Sequence, residues 1–278
     1  MSPVPAPDPR TDLLAGEVVL VTGAAGDGVG GGICAAVHDA GADLVLVDVD
    51  EAALHVVAER YPDALAITGD VSRPDHAARI FEEASAGVGL VTGLVNSAGI
   101  GCNRVFYEAG VEEFERLFAV DVRGPWLMAG EFARRLITVG RSGAIVNISS
   151  VHARSTMVGY AMYAGAKAAV EGLTRGMAVE LGAHGVRCNA VAPGYVHAAQ
   201  NFELLAPLLS DPARWAQRHT EVEQVLPVEI TAEDVGASVV HLLSGASRST
   251  TGQVLAIDAG LSARVYSRAT FAEHQGNP

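Results

Sequence analysis

The sequence predicts a single α/β domain built on a doubly wound, parallel sheet of seven strands with helices on both faces. Three observations support this fold class. Short apolar runs alternate with longer amphipathic segments, 49% of the 278 residues are hydrophobic and 18% are charged, and no linker-like tract divides the chain. Such a composition can bury a large core. Alternation of strands with helical crossovers indicates a parallel sheet.

Seven apolar runs are expected to form the buried strands, with helical segments between them. The folded domain is predicted to span residues 15–262, between a flexible, Pro-rich N-terminal tail at 1–14 and a C-terminal tail at 263–278. Long apolar faces are also expected on two helical segments, around Val111–Gly140 and Met157–Ala183. The predicted strands are Glu17–Thr22, Asp43–Asp48, Ala64–Thr68, Leu90–Val95, Gly143–Ser149, Val186–Val191 and Gln253–Ile257.

Composition also restricts the partners and the compartment. A formal charge of -13 and a pI near 5.0 argue against nucleic acid or an anionic membrane surface as a partner. The N-terminal residues have no signal-peptide pattern, and no apolar run approaches the ~18 residues of a membrane span. Cys34, Cys102 and Cys188 are far apart without metal-ligand spacing, so no metal site is predicted. We therefore expect a protein of the reducing cytoplasm.

The first crossover is a glycine-rich turn that follows a strand and opens a helix. It runs from Thr22 to Gly32 and contains Gly23, Gly28, Val29 and Gly30. Glycines at such a place allow a pyrophosphate to approach the free N–H groups and the positive end of the helix dipole. A turn of this kind is weak evidence alone, but its position between strand and helix favours a dinucleotide site.

An acidic strand end distinguishes between the two nicotinamide cofactors. Asp48 ends the second strand about 20 residues after the glycine-rich turn, where a carboxylate accepts the hydroxyls of an adenosine ribose. An ordinary turn residue is the alternative interpretation of Asp48. No arginine or lysine lies between Arg10 and Arg60 to bind a 2′-phosphate, so NAD is predicted rather than NADP.

Lys167 is the only lysine of the chain, and it follows Tyr163 by four residues in an Ala-rich helical segment. This spacing places phenol and ammonium on one helix face. A phenol titrates near pH ~10 and is a poor base at pH ~7. One cation at about 4 Å in an effective dielectric of about 20 supplies roughly the 4 kcal/mol needed to close that gap. The alternative is an incidental surface pair, so the surrounding motifs must decide.

Those motifs resemble the classical short-chain dehydrogenase/reductase family from about Glu17 to Leu261, which implies a Rossmann-type fold. Each matching segment is short, but their order and spacing together are specific. Besides the glycine-rich turn and Asp48, they are Asp70-Val71, Asn96-Ser97-Ala98-Gly99, Asn147-Ile148-Ser149-Ser150, Tyr163 with Lys167, Arg187-Cys188-Asn189, Pro193-Gly194 and Asp258-Ala259-Gly260.

The resemblance implies a role for each matched residue. Ser150, thirteen residues before Tyr163, matches the catalytic serine, and Tyr163, Lys167 and Asp121 complete the predicted catalytic set. Tyr160 has no lysine four residues later, so it is not the catalytic tyrosine. The implied cofactor-binding residues are Gly23, Gly28, Val29, Gly30, Asp48, Val49, Asp70, Val71, Asn96, Ala98, Gly99, Tyr163, Lys167, Pro193, Gly194 and Val196.

Three positions depart from the family pattern. The interval from Gly23 to Gly28 is one residue longer than usual, so the turn is expected to bulge with Asp27 outward. Asp121 stands where the family has an asparagine, either as a tolerated substitute or to steady Lys167 while opposing ionisation of Tyr163. Ala198 replaces a hydroxyl residue.

The resemblance places a substrate lid at about residues 195–228. Its apolar residues, Phe202, Leu204, Leu205, Leu208, Leu209 and Trp215, suit a hydrophobic or alicyclic substrate, whereas Arg214, Arg218 and His219 are interpreted as surface residues. His152 either lines the substrate pocket or is a turn residue without a chemical role. In the family the helices around 111–140 and 157–183 form the main subunit interface, so a homotetramer is expected, with a dimer next.

The resulting hypothesis is an NAD-dependent oxidoreductase that interconverts a small secondary alcohol and a ketone, with Tyr163 as general acid and base. One alternative is a 3-oxoacyl-thioester reductase, which normally prefers NADPH. Another is a non-catalytic dinucleotide-binding protein, which the departures at Asp121 and Ala198 permit and the intact Ser150, Tyr163 and Lys167 oppose.

Overall fold

The computed structural model describes residues 12–198 and 209–265. Within them, seven strands form one parallel sheet in the order β3-β2-β1-β4-β5-β6-β7. The predicted doubly wound sheet is thereby confirmed. The strands are β1 (Val18–Thr22), β2 (Asp43–Asp48), β3 (Leu65–Thr68), β4 (Gly93–Asn96), β5 (Gly143–Ile148), β6 (Val186–Pro193) and β7 (Val254–Ile257).

Eight helices of the described residues frame the sheet and its loops, six before the gap in the description and two after it. They are α1 (Val29–Asp39), α2 (Glu51–Ala58), α3 (Pro74–Gly87), α4 (Val111–Phe118), α5 (Gly124–Val139), α6 (Ala161–Leu181), α7 (Pro212–Arg218) and α8 (Ala232–Leu243). A π-helical turn, Ala119–Arg123, joins α4 to α5, so the apolar segment expected at 111–140 is two helices. None of the helices described is long and apolar enough to cross a membrane.

Two apolar layers cover the two faces of the sheet. The layer packed by α1 and α8 includes Ile33, Val37 and Val239, and the layer packed by α3 and α5 includes Phe81 and Phe132. Because strands buried on both faces need apolar side chains in both directions, they appear in the sequence as continuous apolar runs.

The observed boundaries differ from the predicted ones at several places; strand β4, for example, begins at Gly93 rather than at Leu90 and ends at Asn96 rather than at Val95. Leu14, assigned to the N-terminal tail, is 1% exposed and its N–H donates to the Ala40 carbonyl at 2.8 Å, so the folded unit begins before residue 15. Strand β6 continues to Pro193 because its last four residues pair with β7. Helix α6 begins at Ala161 rather than near Met157. The remainder of both predicted tails, residues 1–11 and 266–278, lies outside the described residues.

Candidate active site

The turns that follow β1 and β4 are fastened to each other at the carboxyl edge of the sheet. The Thr22 hydroxyl accepts hydrogen bonds from the N–H groups of Ser97 and Ala98, each at 3.1 Å. Gly23 has φ +70°, and a Cβ there would lie 2.7 Å from the Ala98 Cα atom. A Cβ on Gly30 would collide with the Gly23 carbonyl oxygen. Glycine is therefore required for this close backbone approach.

The longer glycine-rich turn bulges as expected. Gly26 has φ +92°, and the Asp27 side chain is 71% exposed. Arg60, just beyond the end of α2, donates to Asp27 Oδ1 at 2.7 Å. The sequence interpretation that no arginine lies near this part of the site was therefore wrong. The guanidinium reaches the turn from 33 residues away and is paired there with a carboxylate.

Asp48 is held by two backbone donors. Its Oδ2 accepts from the Ala25 N–H at 2.9 Å, and its Oδ1 accepts from the Asp50 N–H at 3.1 Å. A carboxylate has about four acceptor positions, so this group retains capacity for a ligand's hydroxyls. The side chain is partly exposed, and the neighbouring Val49 is 68% exposed.

The Asp70-Val71 motif and Asn96, both expected to bind the cofactor, are anchored differently. Asp70 Oδ1 accepts from the Ser72 N–H at 2.9 Å and from its hydroxyl at 2.7 Å. Val71, which follows it, is 7% exposed. Asn96 donates from Nδ2 to Asn147 Oδ1 at 2.8 Å, while its own Oδ1 is buried without a hydrogen-bond partner.

A buried ion pair lies beside these turns. Lys167 Nζ is 3.0 Å from Asp121 Oδ2, with side-chain exposures of 6% and 0%, and it donates to the Ile148 carbonyl at 3.2 Å. Asp121 Oδ1 accepts from the Ile100 N–H at 2.8 Å. Asp121 is carried by the π-helical turn, an element frequent at functional sites. A Cβ on Gly99 would lie 3.1 Å from Asp121 Oδ2 and 3.3 Å from Lys167 Nζ, so glycine lets the backbone pass close to the pair.

Two opposing effects act on the ammonium group. Burial alone lowers the pKa of Lys167 because it removes the charged form from water. The negative charges available on Tyr163 and Asp121, together with the Asp121 hydrogen bond, outweigh burial and raise this pKa above its usual value. Lys167 is consequently a permanent cation at neutral pH. Its Nζ lies 5.5 Å from the centroid of the Tyr163 ring.

Three rings gather at the start of α6. His152 stacks on Tyr160 with centroids 4.7 Å apart, and its edge meets Tyr163 at 5.9 Å. His152 also approaches Thr156, with Nδ1 3.1 Å from Oγ1, and its backbone N–H donates to Ser150 Oγ at 3.2 Å. Burial lowers the pKa of the imidazole. Ser150 and Tyr163 thus both contact His152, which favours the pocket-lining interpretation of this histidine over an unconnected turn residue.

The predicted motif Pro193-Gly194 lies at the end of β6. The Gly194 N–H donates to the Ile257 carbonyl at 2.9 Å, and Val196 pairs with Ile230. His197 Nε2 lies 3.2 Å from the Thr220 hydroxyl. Arg214 and Arg218 are exposed, consistent with their surface interpretation. The same interpretation of His219 was wrong, because its ring is partly buried and stacks on the partly buried Trp215, with centroids 5.0 Å apart. The lid residues Phe202, Leu204, Leu205 and Leu208 lie outside the described residues.

The site contains partners that the motifs alone did not identify. The carbonyl of Ile148 and the N–H of Ile100 hold the ion pair, and Arg60 reaches the glycine-rich turn. Every residue has a backbone carbonyl and nearly every residue a backbone N–H, so the sequence contains no pattern that could have identified the two backbone partners. Within 12–198 and 209–265, no group of three or more His, Cys, Asp or Glu side chains is arranged to hold a metal ion.

The arrangement fits a dinucleotide. The close approach of Gly23 to Ala98 leaves backbone rather than side chains at the carboxyl edge of β1 and β4. Asp48 offers acceptors at the end of β2, and Lys167 offers an ammonium beside Gly99. A protein-family profile described as Enoyl-(Acyl carrier protein) reductase matches residues 23–262. The chain belongs to the classical short-chain dehydrogenase/reductase family.

Named relatives support this membership. The chain is 35% identical over 251 residues to L-xylulose reductase of Bos taurus, covering 89% of this chain and 97% of the relative. It is 34% identical over 258 residues to cis-4-hydroxycyclohexanecarboxylate dehydrogenase of Sinomonas cyclohexanicum, covering 91% and 99%. A gluconate 5-dehydrogenase from Burkholderia cenocepacia J2315, crystallised with NADP and tartrate, superimposes with a TM-score of 0.83 at 29% identity, covering 92% of this chain and 99% of that one.

As a short-chain dehydrogenase/reductase, the chain is an oxidoreductase that acts on alcohol or carbonyl groups of a small molecule and uses a nicotinamide dinucleotide. The oxidoreductase hypothesis is confirmed at that level.

Proposed function

We propose that this chain is an NAD(H)-dependent enzyme that interconverts a secondary alcohol and a ketone, with Tyr163 as the general acid and base. The observation that carries the proposal is the position of the single lysine. Lys167 is 5% exposed, and its ammonium lies against the Tyr163 ring at the carboxyl edge of the sheet. A solvated ammonium far from this edge would have left the phenol without an activating cation.

The side chains of the chain handle the proton and the substrate oxygen. When bound, a nicotinamide would provide the hydride acceptor for alcohol oxidation and the hydride donor for ketone reduction. Tyr163 takes the hydroxyl proton of the alcohol, and in the reverse direction it gives a proton to the carbonyl oxygen. Ser150 donates a hydrogen bond to the same oxygen. Lys167 favours the phenolate through its positive charge.

Two regions would hold the cofactor. The glycine-rich turn and the N-terminus of α1 suit the pyrophosphate, since free N–H groups and the dipole favour an anion there. Asp48 would accept hydrogen bonds from the adenosine ribose hydroxyls. Lys167 would donate hydrogen bonds to the hydroxyls of the other ribose. The remaining proposed contacts are Val49, Asp70, Val71, Asn96, Ala98, Gly99, Pro193, Gly194 and Val196.

We propose NAD rather than NADP because the ribose position is acidic and the nearby guanidinium is engaged. A 2′-phosphate would meet the Asp48 carboxylate, and Arg60 already donates to Asp27. The named relatives include both a carbonyl reductase [NADPH] 2 of Sus scrofa and an L-rhamnose 1-dehydrogenase (NAD(P)(+)) of a Sphingomonas strain, so the preference must be measured on this chain. Fluorescence titration should give at least tenfold tighter binding of NADH than of NADPH, and the opposite ranking would overturn the preference.

We further propose a homotetramer in a reducing cytoplasm. Exposed apolar side chains on α4 and α5, namely Val111 at 72%, Phe114 at 44% and Trp126 at 56%, support a subunit interface there. The thiols of Cys34 and Cys188 are buried and free, and burial raises the pKa of each to about 12, which suits inert thiols. Light scattering with size exclusion reads the oligomer directly, and a monomer would contradict this assembly.

An alcohol panel tests the activity. The full-length protein is mixed with NAD and secondary alcohols, including alicyclic alcohols and polyols, and NADH formation is followed by absorbance. Turnover of at least one secondary alcohol is expected. NADH binding without turnover of any alcohol or ketone would instead support the non-catalytic dinucleotide-binding alternative.

A further inference from the structure

Asp121 places a full negative charge where the family pattern has a neutral amide. Its side chain is 0% exposed. Oδ1 accepts from the Ile100 N–H at 2.8 Å, and Oδ2 lies 3.0 Å from Lys167 Nζ. The carboxylate therefore contacts the ammonium directly. Residue 121 belongs to the π-helical turn Ala119–Arg123.

We propose that Asp121 is a positioning residue that fixes Lys167 and offsets part of its positive field at Tyr163, so that alcohol oxidation begins at a higher pH than asparagine at this position would allow. This inference rests on the proposed function, since it concerns the base of that same reaction. It extends that function to the regulation of the enzyme by pH.

The direction follows from the signs of the charges. Lys167 favours the Tyr163 phenolate, and a carboxylate bound to Lys167 disfavours it. The phenolate needed for oxidation is therefore less favoured with aspartate than with asparagine, and oxidation is expected to need a higher pH. Removal of this unit charge, in an effective dielectric of about 20 to 40, is expected to move the acidic limb of alcohol oxidation by roughly one pH unit.

The donors of Lys167 are also committed. One of its three N–H groups donates to the Ile148 carbonyl, and Nζ lies 3.0 Å from Asp121 Oδ2 as an ion pair. An asparagine at position 121 would retain an oxygen for the Ile100 N–H, while its amide nitrogen would take the place of the oxygen that faces Lys167. The substitution thus keeps the bond to the Ile100 backbone and removes both the negative charge and the acceptor toward the ammonium.

Other ionisable groups around the pair have their own partners. On α6, Glu171 follows Lys167 by one turn and lies 3.3 Å from Arg154 and 4.0 Å from Arg175. On the π-helical turn, Arg123 donates to the Ser72 carbonyl. His152 and Tyr160 contact the Tyr163 ring, and Cys102 lies near Tyr160 in the loop after β4. Across 12–198 and 209–265, Asp121 is the acidic residue in ion-pair contact with Lys167.

The test compares Asp121→Asn with Glu171→Gln. Both substitutions remove a buried carboxylate near Lys167, but only the first removes one that contacts the ammonium. The measurement is kcat/KM for alcohol oxidation as a function of pH. The acidic limb of the profile should move to lower pH by about one unit in Asp121→Asn, and by clearly less in Glu171→Gln. An unchanged limb, a move to higher pH, or equal shifts in both variants would overturn the inference.

A second readout does not require turnover. Ultraviolet difference absorbance follows phenolate formation with pH in both variants and in the unsubstituted protein, with Tyr163→Phe subtracted to isolate Tyr163. The Tyr163 transition should fall by about one pH unit in Asp121→Asn, and an unmoved transition would overturn the inference. If the unsubstituted protein oxidises no alcohol, the proposed function fails, while this titration still decides the electrostatic inference.

Discussion

The two ends of the site each contain an aspartate, and the two carboxylates are held in opposite ways. Asp48 is partly exposed and receives two backbone N–H groups at 2.9 and 3.1 Å. Asp121 is fully buried and faces an ammonium at 3.0 Å. A carboxylate held by neutral donors keeps acceptor capacity for a ligand. A carboxylate that is engaged in a buried ion pair cannot bind a ligand, but its negative charge acts on the neighbouring cation.

Breaking the ion pair should give the largest effect on stability. Asp121→Ala leaves the buried Lys167 ammonium unpaired and the Ile100 N–H without its acceptor. Loss of one partner of a buried pair costs about 3–5 kcal/mol in the free energy of unfolding. Asp48→Ala, the matched substitution at the other end, should cost only about 1–2 kcal/mol because its partners are two backbone donors near solvent. Chemical denaturation of both variants measures the two losses in the free energy of unfolding. Equal losses would contradict the prediction.

Removing the phenolic oxygen should give the largest effect on turnover. Tyr163→Phe leaves the ring in place but removes the proton carrier, so kcat should fall by roughly a hundredfold or more, equivalent to about 2.7 kcal/mol. NADH affinity should remain within about twofold of the original. Tyr160→Phe is the control, since Tyr160 contacts the same rings without a lysine one turn later. Retained activity in Tyr163→Phe would show that another group handles the proton.

A smaller effect is expected on cofactor choice at the exposed carboxylate. Asp48→Asn keeps the size of the side chain and its acceptor for one backbone N–H, but it removes the charge. NADH affinity should fall by about tenfold, which corresponds to about 1.4 kcal/mol, while NADPH affinity should rise. Competitive titration of both cofactors gives the ratio. An unchanged NADH-to-NADPH ratio would argue that Asp48 is an ordinary turn residue.

The weakest expected effect concerns the exposed pair at the rim. Asp27→Asn releases the Arg60 guanidinium, which then becomes available to a 2′-phosphate. Exposed ion pairs add little to stability, so thermal unfolding should not change measurably. NADPH affinity should rise by less than about fivefold because both side chains remain in water. Arg60→Gln in the Asp27→Asn background should cancel any gain, and a gain that persists would place its cause elsewhere.

The sheet was predictable from the sequence because buried parallel strands are continuous apolar runs, as in Asp43–Asp48, whose limits were predicted correctly. The i,i+4 spacing of Tyr163 and Lys167 likewise placed the two groups together. Arg60 was missed because its distance to Asp27 depends on how α2 crosses the sheet, which no local pattern encodes. The burial of Leu14 was missed for a similar reason, since its backbone partner is Ala40.

The ion pair likewise could be predicted only in part from the sequence, because its geometry depends on the tertiary structure. The family pattern identified position 121 as unusual, and either a tolerated substitution or a contact with Lys167 was compatible with it. Only the register of the π-helical turn against α6 brings the two side chains to 3.0 Å. A single extra residue in a helical turn has no clear sequence signature, so this geometry required the tertiary structure.

The chain has one lysine, and the folded protein encloses it. An endoprotease specific for lysine therefore has one target peptide bond, the one that follows Lys167, and that bond lies inside α6. Cleavage into fragments 1–167 and 168–278 requires the helix to open, so its rate reports how often the catalytic region unfolds. A dinucleotide that contacts this region should slow the cut, which makes a simple gel assay a measure of ligand protection.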